Sequence, residues 1–227
     1  MSSPIVNQKK NIYKKYLVKI HKKISHSTRI RIIADKISVC IKTHLPELTK
    51  INCLDIGTGD MSIAELISDI NNATQWKCID IHILPKDLKD NKRWEKYLQF
   101  DGENIPFDNK SFDVTIFSDV LHHSNDKAPK LIIEAARVSK YIIVKDHFEY
   151  SLYSRLALKL MDFVGNWGYG VRIPKRYFSK KSFANLVEES NLKIIDLNIG
   201  IDLYNHLPIA KLFLNPKWQF IAVLSSK

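Results

Sequence analysis

The chain has 227 residues, 45% of them hydrophobic, and sets 35 lysines and arginines against 24 acids for a formal net charge of +11. This length suits a single domain whose core needs neither disulfides nor metals, and three cysteines, Cys40, Cys53 and Cys78, give neither an even set nor a metal-ligand spacing. Disulfide scaffolds and zinc modules are set aside, no uncharged run is long enough to cross a bilayer, and a soluble protein of a reducing, cytoplasmic compartment is expected.

Met1 to Lys15 alternates lysine with apolar residues, which argues against a signal peptide. Lys9, Lys10, Lys14, Lys15, Lys19, Lys22 and Lys23 interleave with Ile12, Tyr13, Tyr16, Leu17, Ile20 and Ile24 at helical spacing. The pattern predicts an amphipathic helix with a basic face. Such a helix either packs on the domain as a lid or rests on an anionic membrane or nucleic acid; the lid is favoured, because exposure is the ordinary state of lysine. A second helix is expected from about Thr28 to His44, with Ile33, Ile37 and Ile41 on one face and Pro46 beyond its end.

From Ile51 onward, strand and helix patterns alternate, predicting an α/β fold with a doubly wound, mostly parallel sheet. Strands are expected at Ile51–Ile56, Trp76–Ile81, Tyr97–Phe100, Asp113–Phe117 and Tyr141–Val144, with helices from about Met61 to Ile70, capped by Asp60, and from Asp126 to Ser139. Matching registers would bring Cys53 and Cys78 near each other as buried thiols. A helix from about Ser151 to Val164 leads into Gly165–Pro174, a glycine-rich, aromatic-bearing stretch read either as a substrate-covering insertion or as an ordinary surface loop. A helix at Lys180–Ser190 and strands at Leu192–Ile199 and Trp218–Leu224 close the chain.

The run Leu54-Asp55-Ile56-Gly57-Thr58-Gly59-Asp60 reads as a strand, a tight glycine turn and a helix start, which lets backbone approach a nucleotide. Asp80 ends the next strand, where a carboxylate can accept ribose hydroxyls, and Asp101-Gly102 follows the third. A pyrophosphate on this turn would lie beside Asp55 and Asp60 and be repelled. S-adenosylmethionine has no phosphate and carries an ammonium and a sulfonium, so the same acids favour it.

Here the chain resembles the class I S-adenosylmethionine-dependent methyltransferases, particularly their small-molecule branch, over roughly Ile51 to Val144. Leu54 to Gly59 is similar to the family's first motif, Asp80 to its ribose acid and Asp101-Gly102-Glu103-Asn104-Ile105-Pro106-Phe107 to its adenine loop. Ser111 to Ile116 with Leu121-His122-His123 is similar to its fourth strand and the following segment. Met61 stands where the family has a third loop glycine. The resemblance implies a seven-stranded Rossmann-like sheet with a closing antiparallel strand. It also implies cofactor contacts at Asp55, Gly57, Gly59, Asp80 and Ile81, and at Asp101, Gly102 and Ser118. One methyltransferase domain over 1–227 is expected, divided into N-terminal helices at 1–48, a cofactor-binding core at 49–147, a substrate-covering insertion at 148–178 and a C-terminal helix and strands at 179–227.

Methyl transfer is an in-line displacement that needs a base only where the acceptor holds its proton. His122, His123, Asp146 and His147 are the candidates, all at the carboxyl ends of the fourth and fifth strands. Asp146-His147 lacks an evident third metal ligand, so no metal is expected. The chain has no cysteine late enough for pyrimidine C5 methylation, no Asn/Asp-Pro-Pro-aromatic tetrapeptide after the fourth strand and no glutamate pair there. Those absences disfavour nucleic-acid and arginine acceptors and leave a small molecule, a lipid or a glycan, with oxygen the favoured atom. The alternative is a non-catalytic basic protein of the same fold that engages nucleic acid or an acidic partner; intact acids at Asp55, Asp80 and Asp101 favour the enzyme.

Overall fold

The computed structural model describes residues 27–83, 92–166, 173–174, 176–207 and 213–227. The lysine-rich helix expected before Ser27 and most of the Gly165–Pro174 stretch lie outside the described residues.

Helix α1 (Ser27–His44) buries Ile33, Ile37 and Ile41, one residue per turn. Strands β1 (Ile51–Ile56), β2 (Thr74–Asp80), β3 (Tyr97–Gln99), β4 (Phe112–Ser118), β5 (Ser139–His147), β6 (Leu192–Ile199) and β7 (Gln219–Ser226) form one sheet. Its order is β3-β2-β1-β4-β5-β7-β6, with β7 antiparallel to both its neighbours. The chain starts at β1 in the middle of the sheet, runs out to β3 and returns to β4. The carboxyl ends of β1 and β4 therefore meet at the point where strand order reverses, the ligand crevice of open α/β sheets.

Helices α2 (Ser62–Ile70), α3 (Ala128–Val138), α4 (Leu152–Asn166) and α5 (Lys180–Glu189) complete the layers. On one face α1 and α2 cover Cys53, Cys78, Val114, Ile116, Ile143 and Val223. On the other, α3 and α5 cover Leu54, Ile56, Phe117, Ile142, Val144 and Phe220. Strict alternation along β1 and β4 assigns these residues to opposite sides of the sheet. No helix among the described residues is long and apolar enough to cross a membrane.

Three expectations are corrected. The N-cap position of α2 is Met61 and not Asp60; the Asp60 carboxylate instead accepts from Ser62 N at 3.2 Å. Strand β5 runs to His147, three residues beyond its expected end, because β7 pairs with it as far as His147 opposite Gln219. Cys53 faces Trp76 and Cys78 faces Asp55, so the two free thiols share a core layer but are offset by two residues.

Met61 adopts φ 65°, the left-handed conformation of the glycine it replaces, with its side chain buried. Met61→Gly should relieve about 1 kcal/mol of backbone strain but lose about 2–4 kcal/mol of buried side chain. A net destabilisation of about 1–3 kcal/mol is expected in denaturant unfolding.

Candidate active site

Two glycines set the crevice floor. Gly57 has φ 71°, and a Cβ there would lie 2.5 Å from Val120 Cγ2, so backbone packs directly against the segment leaving β4. Gly102 has φ 80°, and a Cβ there would come within 2.9 Å of Ile81 Cγ2, which rests over the loop after β3.

Asp55 and Asp80 lie on the same side of the sheet, because Asp55 pairs with Cys78, two residues before Asp80. Both are buried. Asp80 Oδ2 accepts from Gly59 N at 2.9 Å and Oδ1 from His82 N at 2.9 Å, which fixes the carboxylate against the glycine turn with lone pairs to spare. Asp55 Oδ2 accepts from the Thr58 hydroxyl at 2.6 Å. Desolvation raises the Asp55 pKa to about 7, partly opposed by that hydrogen bond and reinforced by Asp80. Asp101 is exposed; hydrogen bonds from the backbone and side chain of Asn104, then from Glu103 N, lower its pKa to about 2.

The Ser118 Oγ is buried and unpartnered at the end of β4. An orphaned hydroxyl, two fixed acids and two glycines that admit close approach together fit a nucleoside carrying cations and no phosphate.

Beside this pocket the ends of β4 and β5 build a compact ionic cluster. Asp119 takes φ 57° just past β4, its N–H donating to the Lys145 carbonyl at 2.9 Å. Its carboxylate accepts from Lys145 Nζ and from Arg29 of α1. Asp146, fully buried, accepts from His122 Nδ1 at 2.6 Å and from the backbone of His122 and His147. On the other side of His122, Nε2 lies 3.4 Å from Asp162 Oδ2 of α4, and Asp162 accepts the Tyr177 hydroxyl at 2.5 Å. His147 Nδ1 is 3.3 Å from Asp119 Oδ1 and 3.5 Å from Asp146 Oδ1.

The two buried histidines are driven apart. Desolvation alone would lower the His122 pKa, but Asp146 and then Asp162 outweigh it and raise it to about 10. His147 is lowered below 6.5 by burial first and the Lys145 ammonium second, against weaker pulls from Asp119 and Asp146. At neutral pH His122 is an imidazolium and His147 a neutral imidazole. Asp119, Asp146 and Asp162 stay ionised, because their cationic neighbours outweigh desolvation. Arg29, Lys145 and His122 thus balance three carboxylates inside the protein.

Of the four base candidates, the fold brings His122, Asp146 and His147 into contact and packs His123 against His122, with ring centroids 4.0 Å apart and the rings tilted by 45°. His122 supplies the third neighbour that Asp146-His147 lacked in the sequence, and His122, His123 and Asp162 form a second close group. Arg29, Asp119, Lys145, Asp162 and Tyr177 went unread. Arg29 falls in line with Ile33, Ile37 and Ile41, and a charge on an apolar stripe was the available signal.

The sequence profile of a family described as "Methyltransferase domain" matches residues 54–141. Residues 54–141 thus resemble a methyltransferase domain. The profile spans β1 to β5, the part of the chain that carries the glycine turn, both buried acids and His122–His123. No curated protein sequence matches the chain. Among solved structures, an S-adenosylmethionine-dependent methyltransferase from Aquifex aeolicus shares 15% identity over 92% of this chain and 97% of its own, with a TM-score of 0.57. The Burkholderia thailandensis 1,6-didemethyltoxoflavin-N1-methyltransferase, solved with its substrate and S-adenosylhomocysteine, shares 12% identity over 100% of this chain and 92% of its own, with a TM-score of 0.62. These likenesses are of fold. A third similar structure is a carbon methyltransferase, so neighbours of this fold serve nitrogen and carbon acceptors alike.

Proposed function

We propose that the enzyme moves a methyl group from S-adenosylmethionine to an oxygen of a small-molecule, lipid or glycan acceptor seated between the glycine turn and the ionic cluster. The reading rests on one observation: a buried His147 at the carboxyl end of β5 whose Nδ1 lies 3.3 Å from Asp119 Oδ1 and 3.5 Å from Asp146 Oδ1, with burial lowering its pKa.

Bound at the crevice, the cofactor supplies an activated methyl on a sulfonium. Asp80 accepts the ribose hydroxyls, Asp55 faces the cationic end, and Ser118 offers its free hydroxyl. Ile81 with Asp101-Gly102 borders the adenine. Nδ1 of His147 faces two carboxylates, which stabilise a proton there and leave the Nε2 lone pair to receive the acceptor's proton. His122, already protonated, does not act as base; it holds Asp146 and Asp162 in place.

The test supplies the protein with cofactor labelled in the methyl group and offers it lipid and aqueous cell extracts. An ether or ester one methyl heavier is expected by mass spectrometry. A nitrogen- or carbon-methylated product would displace the oxygen reading, and absence of any labelled product from both extracts would remove it.

Asp55 adds a pH dependence. A bound cation favours its ionised form, so a proton is released on binding wherever the free site is protonated. Affinity for S-adenosylmethionine should therefore strengthen as pH rises towards about 7 and level off above it. Calorimetry at pH 6 and pH 8 checks this, and Asp55→Asn should flatten the difference.

A further inference from the structure

Helix α4 turns its apolar side to solvent. Its inward arc carries Ser154, Leu158 and Asp162, the last of these the acid beside His122. Outward it presents Leu152, Tyr153, Leu156, Leu160 and Phe163, between 48% and 66% exposed. At 3.6 residues per turn these five lie within about 100° of arc and form one stripe about 16 Å long. Phe213, also exposed, extends it, tied down by the Tyr153 hydroxyl donating to its carbonyl at 3.1 Å. Single exposed leucines are ordinary, whereas a continuous stripe of this kind marks a binding surface.

The charges around the stripe decide its occupant. Lys159 flanks the arc, about 20° beyond Leu152, and no acid of α4 lies within it. Lys180 Nζ sits 5.7 Å from the centroid of exposed Tyr150, and Lys217 adjoins Trp218, whose ring is 5.9 Å from that of Tyr153. The neighbouring acid Glu149 is held by Arg155 at 2.8 and 2.9 Å. A second copy of the chain would bring like charges together on this face. Residues 1–26, with seven lysines and no acid, supply no counter-charge either. An anionic lipid surface supplies both an apolar layer for the stripe and negative headgroups for its lysines.

We propose that α4 docks the enzyme on an anionic bilayer, and that the acceptor is a lipid drawn from that surface to the site on the helix's inner side. The choice of acceptor rests on the methyl-transfer reading; the docking does not.

The full-length protein is sedimented with vesicles of phosphatidylcholine alone and of phosphatidylcholine with phosphatidylglycerol. Selective binding to the second is expected, weakening as salt rises. Leu156→Asp combined with Leu160→Asp should weaken that binding at least tenfold while leaving the melting temperature and S-adenosylhomocysteine affinity unchanged. Failure of the wild type to bind phosphatidylglycerol vesicles, or equal binding by the variant, overturns the proposal. A dimer in sedimentation equilibrium that the variant abolishes, with neither form binding vesicles, overturns it in favour of a protein interface. Failure of the methyl-transfer reading would show separately, as lost S-adenosylhomocysteine binding or absent transfer with vesicle binding intact.

Discussion

His147→Gln is expected to lower kcat by about 10²–10³-fold while leaving S-adenosylhomocysteine affinity near that of the wild type. Glutamine keeps much of the ring's volume and can still donate towards Asp119, but it cannot take up a proton. The wild-type profile of kcat/KM against pH follows from the direction of the shift. A base works in its neutral form, and His147 is held below 6.5, so at saturating cofactor, where the Asp55 titration does not enter, the rising limb has its midpoint below 6.5. Were His122 the base, the limb would instead be centred near pH 10. That limb would coincide with a loss of stability. Stability from a histidine whose folded pKa is raised is fully present below the unfolded value of about 6.5 and is lost as pH climbs through about 10. Melting temperatures recorded across the same pH range separate the two causes.

Much of the pocket was legible because each of its parts has a local signature. A strand ending in an acid, a pair of glycines and a second strand ending in an acid can be read from neighbours along the chain, and β1 and β2 place Asp55 and Asp80 on one side through their register. The ionic cluster was only half legible, because its members come from five separate stretches. Lys145, Asp146 and His147 look like the loop after a short strand. In the fold they are its last three residues, paired with Ile221, Phe220 and Gln219 of an antiparallel β7 whose direction no periodicity reveals. Asp162 was hidden for a different reason. On α4 apolar residues lie on the outer arc as well as the inner one, so a lone acid on the inner arc passes for a solvated one. Asp119 and Arg29 matter through each other, across 90 residues of sequence.

Asp80→Ala should weaken S-adenosylhomocysteine binding by about 3 kcal/mol, a little over a hundredfold. The carboxylate has two duties in this pocket. It fixes the glycine turn through Gly59 N and the strand end through His82 N, and in the proposed complex its remaining lone pairs accept the ribose hydroxyls. Truncation leaves two N–H groups without their acceptor, so part of any loss would arise from a loosened turn. Asparagine is no milder, because its amide would set an NH2 against one of those donors. A cofactor analogue lacking the ribose hydroxyls separates the duties. If Asp80 binds the ribose, the wild type should lose affinity for the analogue, while Asp80→Ala should bind analogue and parent equally. If the variant still discriminates against the analogue as strongly as the wild type does, the acid only shapes the turn and the ribose is held elsewhere.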